Sequence, residues 1–529
     1  MGQIRVLVSD KMSPKVEAIL SKEGIQVDVN TGNSPEELAA IIGNYDGLVV
    51  RSATKATEEI IAKADNLKVI GRAGSGLDNV NIPAATKRGC VVMNTPGGNT
   101  ITTAEHAFSL LSSLARNIPQ ATGSLKSGKW EKGKYMGVEL YGKTLGVVGA
   151  GQIGTHVINL AQGFGMHVIA FDPFLSPERA EKQGIELVDL NAIYSRSDFI
   201  TLHTPLTPET KGMINKDTIS QMKPSVRIIN CARGGLVNES DLFDALSNGT
   251  VAGAAFDVFE QEPVDPKHPL LSLDNFVCSP HLGASTHEAQ ENVAVAVAEQ
   301  IADYLVRGVI RNAVNFPSIA PDLVPTLSPY VTLAEKLGGA LSQVYEGGLA
   351  RVEITYAGKV ADLDVACVTI AALKGLLAPI LGDTVNFVNA PLIAKERGIE
   401  VAEVKEADAD VLAPTITLSV EAGGKKNRII GLLTSRNEPR IVELNDVLVE
   451  VVPDGYMLII ANDDRPGVIG SVGTVLGDAG VNIALMNFGR DEAGGRAIAV
   501  VNIDEKVSDQ VLENLRQVPN ICTVKQIFL

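Results

Sequence analysis

Short apolar runs set the rhythm of the first hundred residues. IRVLVS from Ile4, GLVVRS from Gly47, LKVIGRA from Leu67 and CVVMN from Cys90 alternate with amphipathic, helix-like stretches. That grammar predicts βαβ units and a parallel sheet. TPGGNTITTAEHAFSLLSSLAR predicts a Gly/Asn/Thr loop and then a long helix. Strand and helix alternate again through LGVVGA, HVIAFD, FITLHT, VRIINCA, VAGAAFDV and FVCSPH, a complete doubly wound unit. Thr286 to Arg307 reads as one helix. The four prolines of NAVNFPSIAPDLVPTLSP then predict a linker, because proline cannot continue a helix. Residues 320–450 read as mixed α/β. The last 75 residues, Gly455 to Leu529, run strand, helix, strand, strand, helix, strand. The most apolar run, DVACVTIAALKGLLAPILG, is interrupted by Lys374 and Pro379 and predicts a buried helix, not a membrane span.

Composition narrows the function classes. A chain of 529 residues needs three or four domains. Acidic residues outnumber basic ones 62 to 46, for a net charge of −16, which disfavours nucleic acid and anionic membranes as partners. An anionic substrate must then meet a local cluster of arginine and lysine. Cys90, Cys231, Cys278, Cys367 and Cys522 form no C-x-x-C pair, so neither a metal site nor a disulfide framework is expected. No signal-like apolar segment opens the chain, and the expected compartment is the cytoplasm.

Gly149, Gly151 and Gly154 form G-x-G-x-x-G. With 50 glycines in the chain the triplet alone is weak evidence, and its context carries the argument. The apolar strand LGVV precedes it, Ile153, Val157 and Leu160 follow at helical spacing, and a second strand ends at Asp172. Glycines there allow a pyrophosphate to approach the backbone, and the helix start offers free N–H groups. Asp172 can accept both ribose hydroxyls and would repel a 2′-phosphate, which favours NAD. An ordinary tight β–α turn is the weaker alternative.

Arg233 in NCARGG, Glu262 in FEQEP and His281 in SPHLGAST follow later strands, where ligands bind in open α/β sheets. Oxidising a hydroxy acid needs a base for the hydroxyl proton and a cation for the carboxylate. His281 oriented by Glu262 suits the first task, and the Arg233 fork the second. Among other histidines, His106, His203 and His287 read as structural. Arg51 and Arg72 each follow an apolar strand, and Gly74-Ser75-Gly76 exposes backbone N–H groups suited to a carboxylate.

VGAGQIG, ARGG, EQEP and PHLGAST together resemble the D-isomer-specific 2-hydroxyacid dehydrogenases. GRAGSGLDNV, MNTPGGN and the C-terminal extension are similar to the long-form members that act on a phosphorylated hydroxy acid. The resemblance implies NAD-dependent oxidation of 3-phospho-D-glycerate to 3-phosphohydroxypyruvate, the first step of L-serine biosynthesis. It implies an α/β chain with a split, flavodoxin-like substrate domain (1–98 and 286–316) around a Rossmann-type nucleotide domain (99–285). An intervening domain (317–452), a candidate for allosteric control, and a βαββαβ ACT domain (453–529) follow.

Carried across by motif, Arg233, Glu262 and His281 are the catalytic set. Ser75, Gln152, Ile153, Asp172, Thr204, Cys231, Ala232, Arg233, Asp257, His281, Gly283 and Ala284 join Gly149, Gly151 and Gly154 around NAD. Arg51, Arg72, Gly74, Ser75, Gly76 and Asn99 meet the substrate. NDDRPGVIGSVGTVLGDAGVNI resembles the ACT module, which implies Asn462, Asp464 and Asn482 as effector ligands and L-serine as the effector; an ACT module used only for assembly is the alternative. Relatives imply a homo-oligomer, a tetramer, in which the LKSGKWEKGK segment crosses to a neighbour; Lys132 or Lys134 reaching that neighbour's substrate phosphate and a solvated interface loop are the two readings. Competing readings are another 2-keto acid reductase, which the long extension disfavours, and a dinucleotide-sensing scaffold.

Overall fold

The computed structural model describes residues 3–317, 323–345, 347–406, 413–422 and 425–529. The first apolar runs form an all-parallel sheet of Arg5–Val8, Gln26–Val29, Gly47–Val50, Val69–Arg72 and Val91–Asn94, in spatial order 2-1-3-4-5. Gln26–Val29 escaped the hydrophobic reading because it is an edge strand, QVDV, with no fully buried side chain. The helix His287–Arg307 returns to this sheet. Thr286 caps its start by accepting from the Ala289 N–H. Its stripe of Val293, Val297 and Ile301 shares one core with Val6, Val69 and Val91, each buried side chain contributing about 1.5–3 kcal/mol.

The second sheet has seven parallel strands: Thr144–Val148, His167–Phe171, Glu186–Leu187, Phe199–Leu202, Arg227–Asn230, Gly253–Phe256 and Phe276–Cys278. Their spatial order is 3-2-1-4-5-6-7. Strand order reverses between Thr144–Val148 and Phe199–Leu202, which opens a crevice at the carboxyl ends. The two-residue strand Glu186–Leu187 is too short to leave a periodic signal. The helix Thr100–Arg116 packs on this sheet through Ala104, Phe108 and Leu111.

The expected linker is shorter than its prolines suggest. Residues 318–322 lie outside the described residues, and a helix runs over Val324–Val344 with Pro325 in its first turn and Pro329 inside. Proline is tolerated in a first turn, where its missing N–H has no intrahelical partner anyway. The apolar run is the helix Ala366–Leu381, packed against Val324–Val344, with Lys374 paired to Glu335. A six-stranded sheet lies beside them; only Arg351–Ala357 and Glu400–Glu406 in it run parallel.

Tyr456–Asp463, Ile483–Arg490, Arg496–Ile503 and Ile521–Phe528 form the last sheet, antiparallel, in order 2-3-1-4. Period-two alternation splits its apolar side chains between two faces. Leu458, Ile460, Ala499 and Val501 meet its own helices, which contribute Val472 and Leu515. Met457, Ile459, Val500 and Ile527 enter the core of the six-stranded region. Among the described residues no helix is long and apolar enough to cross a membrane, and no cluster of His, Cys, Asp and Glu is placed to hold a metal.

Candidate active site

The glycine turn sits where the strand Thr144–Val148 meets the helix Gln152–Gly163. Gly149 has φ 92°, and a Cβ there would collide with the His203 carbonyl oxygen. A Cβ on Gly154 would strike the Gly149 carbonyl, so the helix could not pack down. Gly151 differs: a Cβ there would meet nothing within 4 Å. It is the helix N-cap, no side chain caps that start, and Gly151, Gln152 and Thr155 line an open cleft, so the helix start is accessible to an anion.

Asp172 accepts from the Ala150 N–H at 2.7 Å and the Phe174 N–H at 2.8 Å. It thereby ties the second strand end to the glycine turn, and each oxygen keeps a lone pair for a ribose hydroxyl. Both border one cleft of about 660 Å³, with Phe174 and Arg179 on its wall. These groups fit a dinucleotide. Gln152 accepts from Thr100 Oγ1 at 3.2 Å. Ile153 packs on the sheet's core, Thr204 is half-buried, and Cys231 is only 6% exposed. The Ala232 N–H donates to Asn230 Oδ1.

A second cleft of about 660 Å³ lies between the two parallel sheets, with Arg51, Arg72, Gly74, Asn99, Glu262 and His281 among its lining. His281 Nδ1 is 2.7 Å from Glu262 Oε2. That bond, against the effect of burial, raises the His281 pKa above the ordinary imidazole value. Burial alone would push the Glu262 carboxyl up, but His281 and the Phe259 N–H outweigh it and hold it down.

The cation side is built on the loop after Val69–Arg72. Cβ atoms on Gly74 and Gly76 would collide with the Arg72 and Arg233 guanidinium groups, so glycine lets both arginines lie against the loop. Arg72 Nε is buried without a partner. Burial first, and the Arg233 charge second, bring its pKa down to about 10. The Thr95 hydroxyl accepts from the Gly74 N–H at 2.7 Å, Ser75 Oγ donates to Asn99 Oδ1 at 2.7 Å, and Asn94 Nδ2 donates to the Ser75 carbonyl. Arg51 is tied by its N–H to Asp10 and by Nη1 to the Lys11 carbonyl.

Three contacts went unread in the sequence. Asp78 Oδ2 lies 3.1 Å from Arg233 Nε and turns that guanidinium; the signal was a carboxylate two residues past Gly76. Asp257 is 1% exposed and accepts from Ser279 Oγ, Leu282 N–H and Gly283 N–H. It braces the His281 loop from beneath. His106, read as structural, reaches this same carboxylate. His203 is 2.9 Å from Thr201 Oγ1, with its pKa driven down to about 4 by burial, and His287 opens its helix.

The expected effector trio is not assembled within one chain. Asn462 is 4% exposed, and Asp464 is held by Arg490 Nη1 at 2.8 Å. Asn482 donates to Asp504 at 2.8 Å. Asn462 pairs with Ala497, whereas Ile483, next to Asn482, pairs with Ile503 at the far end of the sheet. Six residues of strand, roughly 20 Å, separate the two ends.

A proton acceptor and a cation side on one cleft, and a dinucleotide turn on a second that adjoins it along residues 97–100, are what hydride exchange with a hydroxy acid requires. Fold and site together define a nicotinamide-dependent 2-hydroxyacid dehydrogenase. Comparison with known proteins agrees. Residues 108–283 match the NAD binding domain of the D-isomer specific 2-hydroxyacid dehydrogenases. Residues 326–445 match the D-3-phosphoglycerate dehydrogenase intervening domain, and 456–520 the ACT domain. The D-3-phosphoglycerate dehydrogenase of Methanocaldococcus jannaschii is 46% identical over 528 residues, 99% of this chain and 100% of that one. The one from Bacillus subtilis strain 168 is 44% identical over 531 residues, 99% of each. Among solved structures, a Thermus thermophilus protein (33% identity, TM-score 0.55) covers 59% of this chain and 100% of its own. A glyoxylate reductase from Paecilomyes thermophila (28% identity, TM-score 0.55) covers 59% of this chain and 99% of its own. The chain belongs to the D-3-phosphoglycerate dehydrogenase family, and its nucleotide cofactor is NAD.

Proposed function

We propose that this chain oxidises 3-phospho-D-glycerate to 3-phosphohydroxypyruvate with NAD, opening L-serine biosynthesis. The observation that carries this reading is the 2.7 Å His281–Glu262 pair in a cleft shared with Arg72 and the Gly74–Gly76 loop. Bound NAD supplies the hydride acceptor. His281 takes the hydroxyl proton, and the Glu262 carboxylate stabilises the imidazolium that results. Arg233, held by Asp78, and Arg72 grip the substrate carboxylate and favour the developing carbonyl. Arg51 and Lys55, on the same cleft wall, suit the phosphate, with Lys132 or Lys134 of a neighbouring copy as further cations.

The domain boundaries at 98/99, 285/286, 316/317 and 452/453 belong to the same proposal. So does a cytoplasmic homotetramer. The tetramer draws support from three exposed apolar side chains in and just after the lysine-rich segment, Trp130 and Met136 each 83% exposed and Tyr141 79%. We assign L-serine as the ACT effector, with Asn462, Asp464 and Asn482 as its ligands.

The test is NADH consumption by purified protein with 3-phosphohydroxypyruvate, with and without L-serine. This direction is chosen because oxidising a 2-hydroxy acid with NAD is uphill. Faster turnover of glyoxylate or another unphosphorylated 2-keto acid would overturn the substrate assignment. Turnover indifferent to serine would leave the ACT sheet to assembly.

A further inference from the structure

The turn that presents His281 is held against its own conformational preference. His281 has φ 53°, a left-handed conformation costing a side-chain-bearing residue about 1–2 kcal/mol. Such a turn persists only when its surroundings fix it from several sides. Here the fixing group is Asp257. Its carbonyl accepts from the His281 N–H at 2.9 Å. Its carboxylate accepts from the next two N–H groups, Leu282 at 2.7 Å and Gly283 at 2.8 Å.

A 1% exposed carboxylate needs donors, and two side chains supply them. Ser279 Oγ donates to Asp257 Oδ1 at 2.6 Å. His106 Nε2 lies 3.1 Å from the same oxygen and 2.9 Å from Ser279 Oγ. His106 belongs to neither the glycine turn nor the catalytic loop. It stands two turns into the helix Thr100–Arg116, which starts right after Asn99, the partner of Ser75. A second tie joins that helix to the far end of the loop: Thr102 Oγ1 is 3.3 Å from Thr286 Oγ1.

We propose that His106 is a positioning residue for the reaction. Through Asp257 and Ser279 it clamps the left-handed turn bearing His281 onto the helix that leaves the substrate loop. The inference rests on the reading of His281 as proton carrier. The imidazole touches no reacting atom; its Nε2–H donor keeps the buried carboxylate aimed at two backbone N–H groups. A catalytic group displaced by about an ångström loses up to ~100-fold in rate.

Two variants and two readouts test the clamp in the full-length protein. His106→Leu removes the donor and keeps the bulk, whereas His106→Gln carries an amide N–H to the place of Nε2. The first readout is kcat with 3-phosphohydroxypyruvate, alongside KM and the NADH dissociation constant. His106→Leu is expected to lower kcat at least tenfold while both constants stay within about twofold, and His106→Gln to recover most of the rate. The second readout is amide hydrogen exchange in the peptide spanning Leu282 and Gly283, faster in His106→Leu and near wild type in His106→Gln. Equal losses in both variants, or neither readout moving in His106→Leu, overturns the proposal. If His106→Leu does not fold, Ser279→Ala decides: unchanged rate and exchange there also overturn it. A wild-type protein inert toward every 2-keto acid would sink the catalytic reading, while exchange would still decide the clamp.

Discussion

The crevice between the two parallel sheets and the ACT sheet present their proposed ligand-binding residues in opposite ways. In the crevice, residues far apart in sequence converge: Gly74, Asn99, Glu262 and His281 line one cleft. In the ACT sheet, Asn462 and Asn482 are only twenty positions apart, yet strand pairing holds them at opposite ends. Closeness along the chain is thus a poor guide to shared chemistry. Parallel sheets gather their carboxyl-end loops at one edge, so their sites assemble within a single chain. A four-stranded antiparallel sheet sends successive strand ends in opposite directions. Within one chain its proposed trio therefore stays apart; under the seam proposal a second copy, turned about a two-fold axis, would bring its Asn482 to the first copy's Asn462.

Removing the proton carrier strikes the crevice hardest. His281→Ala should lower kcat by roughly 10²–10⁴-fold with NADH affinity nearly unchanged, because the glycine turn and Asp172 lie outside its contacts. A stopped-flow titration beside steady-state rates checks this. A parallel loss of NADH binding would show that the two halves of the crevice are not separable.

Asp172→Ala comes next. Two charge-assisted acceptors for ribose would vanish, and with them the repulsion of a 2′-phosphate. The ratio of kcat/KM for NADH over NADPH should fall by about 10–100-fold. An unchanged ratio would remove Asp172 from cofactor choice and leave it as a brace for Ala150.

Glu262→Gln should change position on the pH axis more than height. On the proposed mechanism His281 acts as the acid in keto-acid reduction, so rate is held below its pKa and lost above. The Glu262 carboxylate raises that pKa, which extends activity toward alkaline pH. With a neutral amide the alkaline limb of kcat/KM should move to lower pH. His281 is 52% exposed, so solvent and salt screen part of the effect, and high ionic strength should narrow the gap between variant and parent. A pH profile that does not move would sink the orienting role of Glu262.

How much was legible follows the physics of each signal. The strand LGVV, the glycine turn and Asp172 were readable because local sterics dictate them. The His281–Glu262 pair was readable because proton transfer to or from a hydroxyl needs that chemistry. Gln26–Val29 and Glu186–Leu187 were hidden because edge strands bury too little to show a period. The linker was overextended because a proline looks alike in a loop and in a first turn. Asp78 on Arg233 and His106 beneath Asp257 are long-range contacts between polar side chains, and nothing in local composition marks them.

The smallest expected effect is also the sharpest test of the comparison. If serine lies at a seam between two copies, each seam takes Asn462 from one chain and Asn482 from the other. Asn462→Ala alone and Asn482→Ala alone should each abolish serine inhibition, since every seam then carries one defect. Denaturing the two variants together and refolding them at equal ratio produces mixed pairs. In a mixed pair one seam carries both defects and the other carries none. About one quarter of all seams should therefore recover, and with them a partial serine response absent from either parent. A site contained within one chain predicts no recovery at any mixing ratio. Recovery would establish that the effector site needs two copies. Its absence, with serine still inhibiting the wild type, would move the ligands to one end of the sheet.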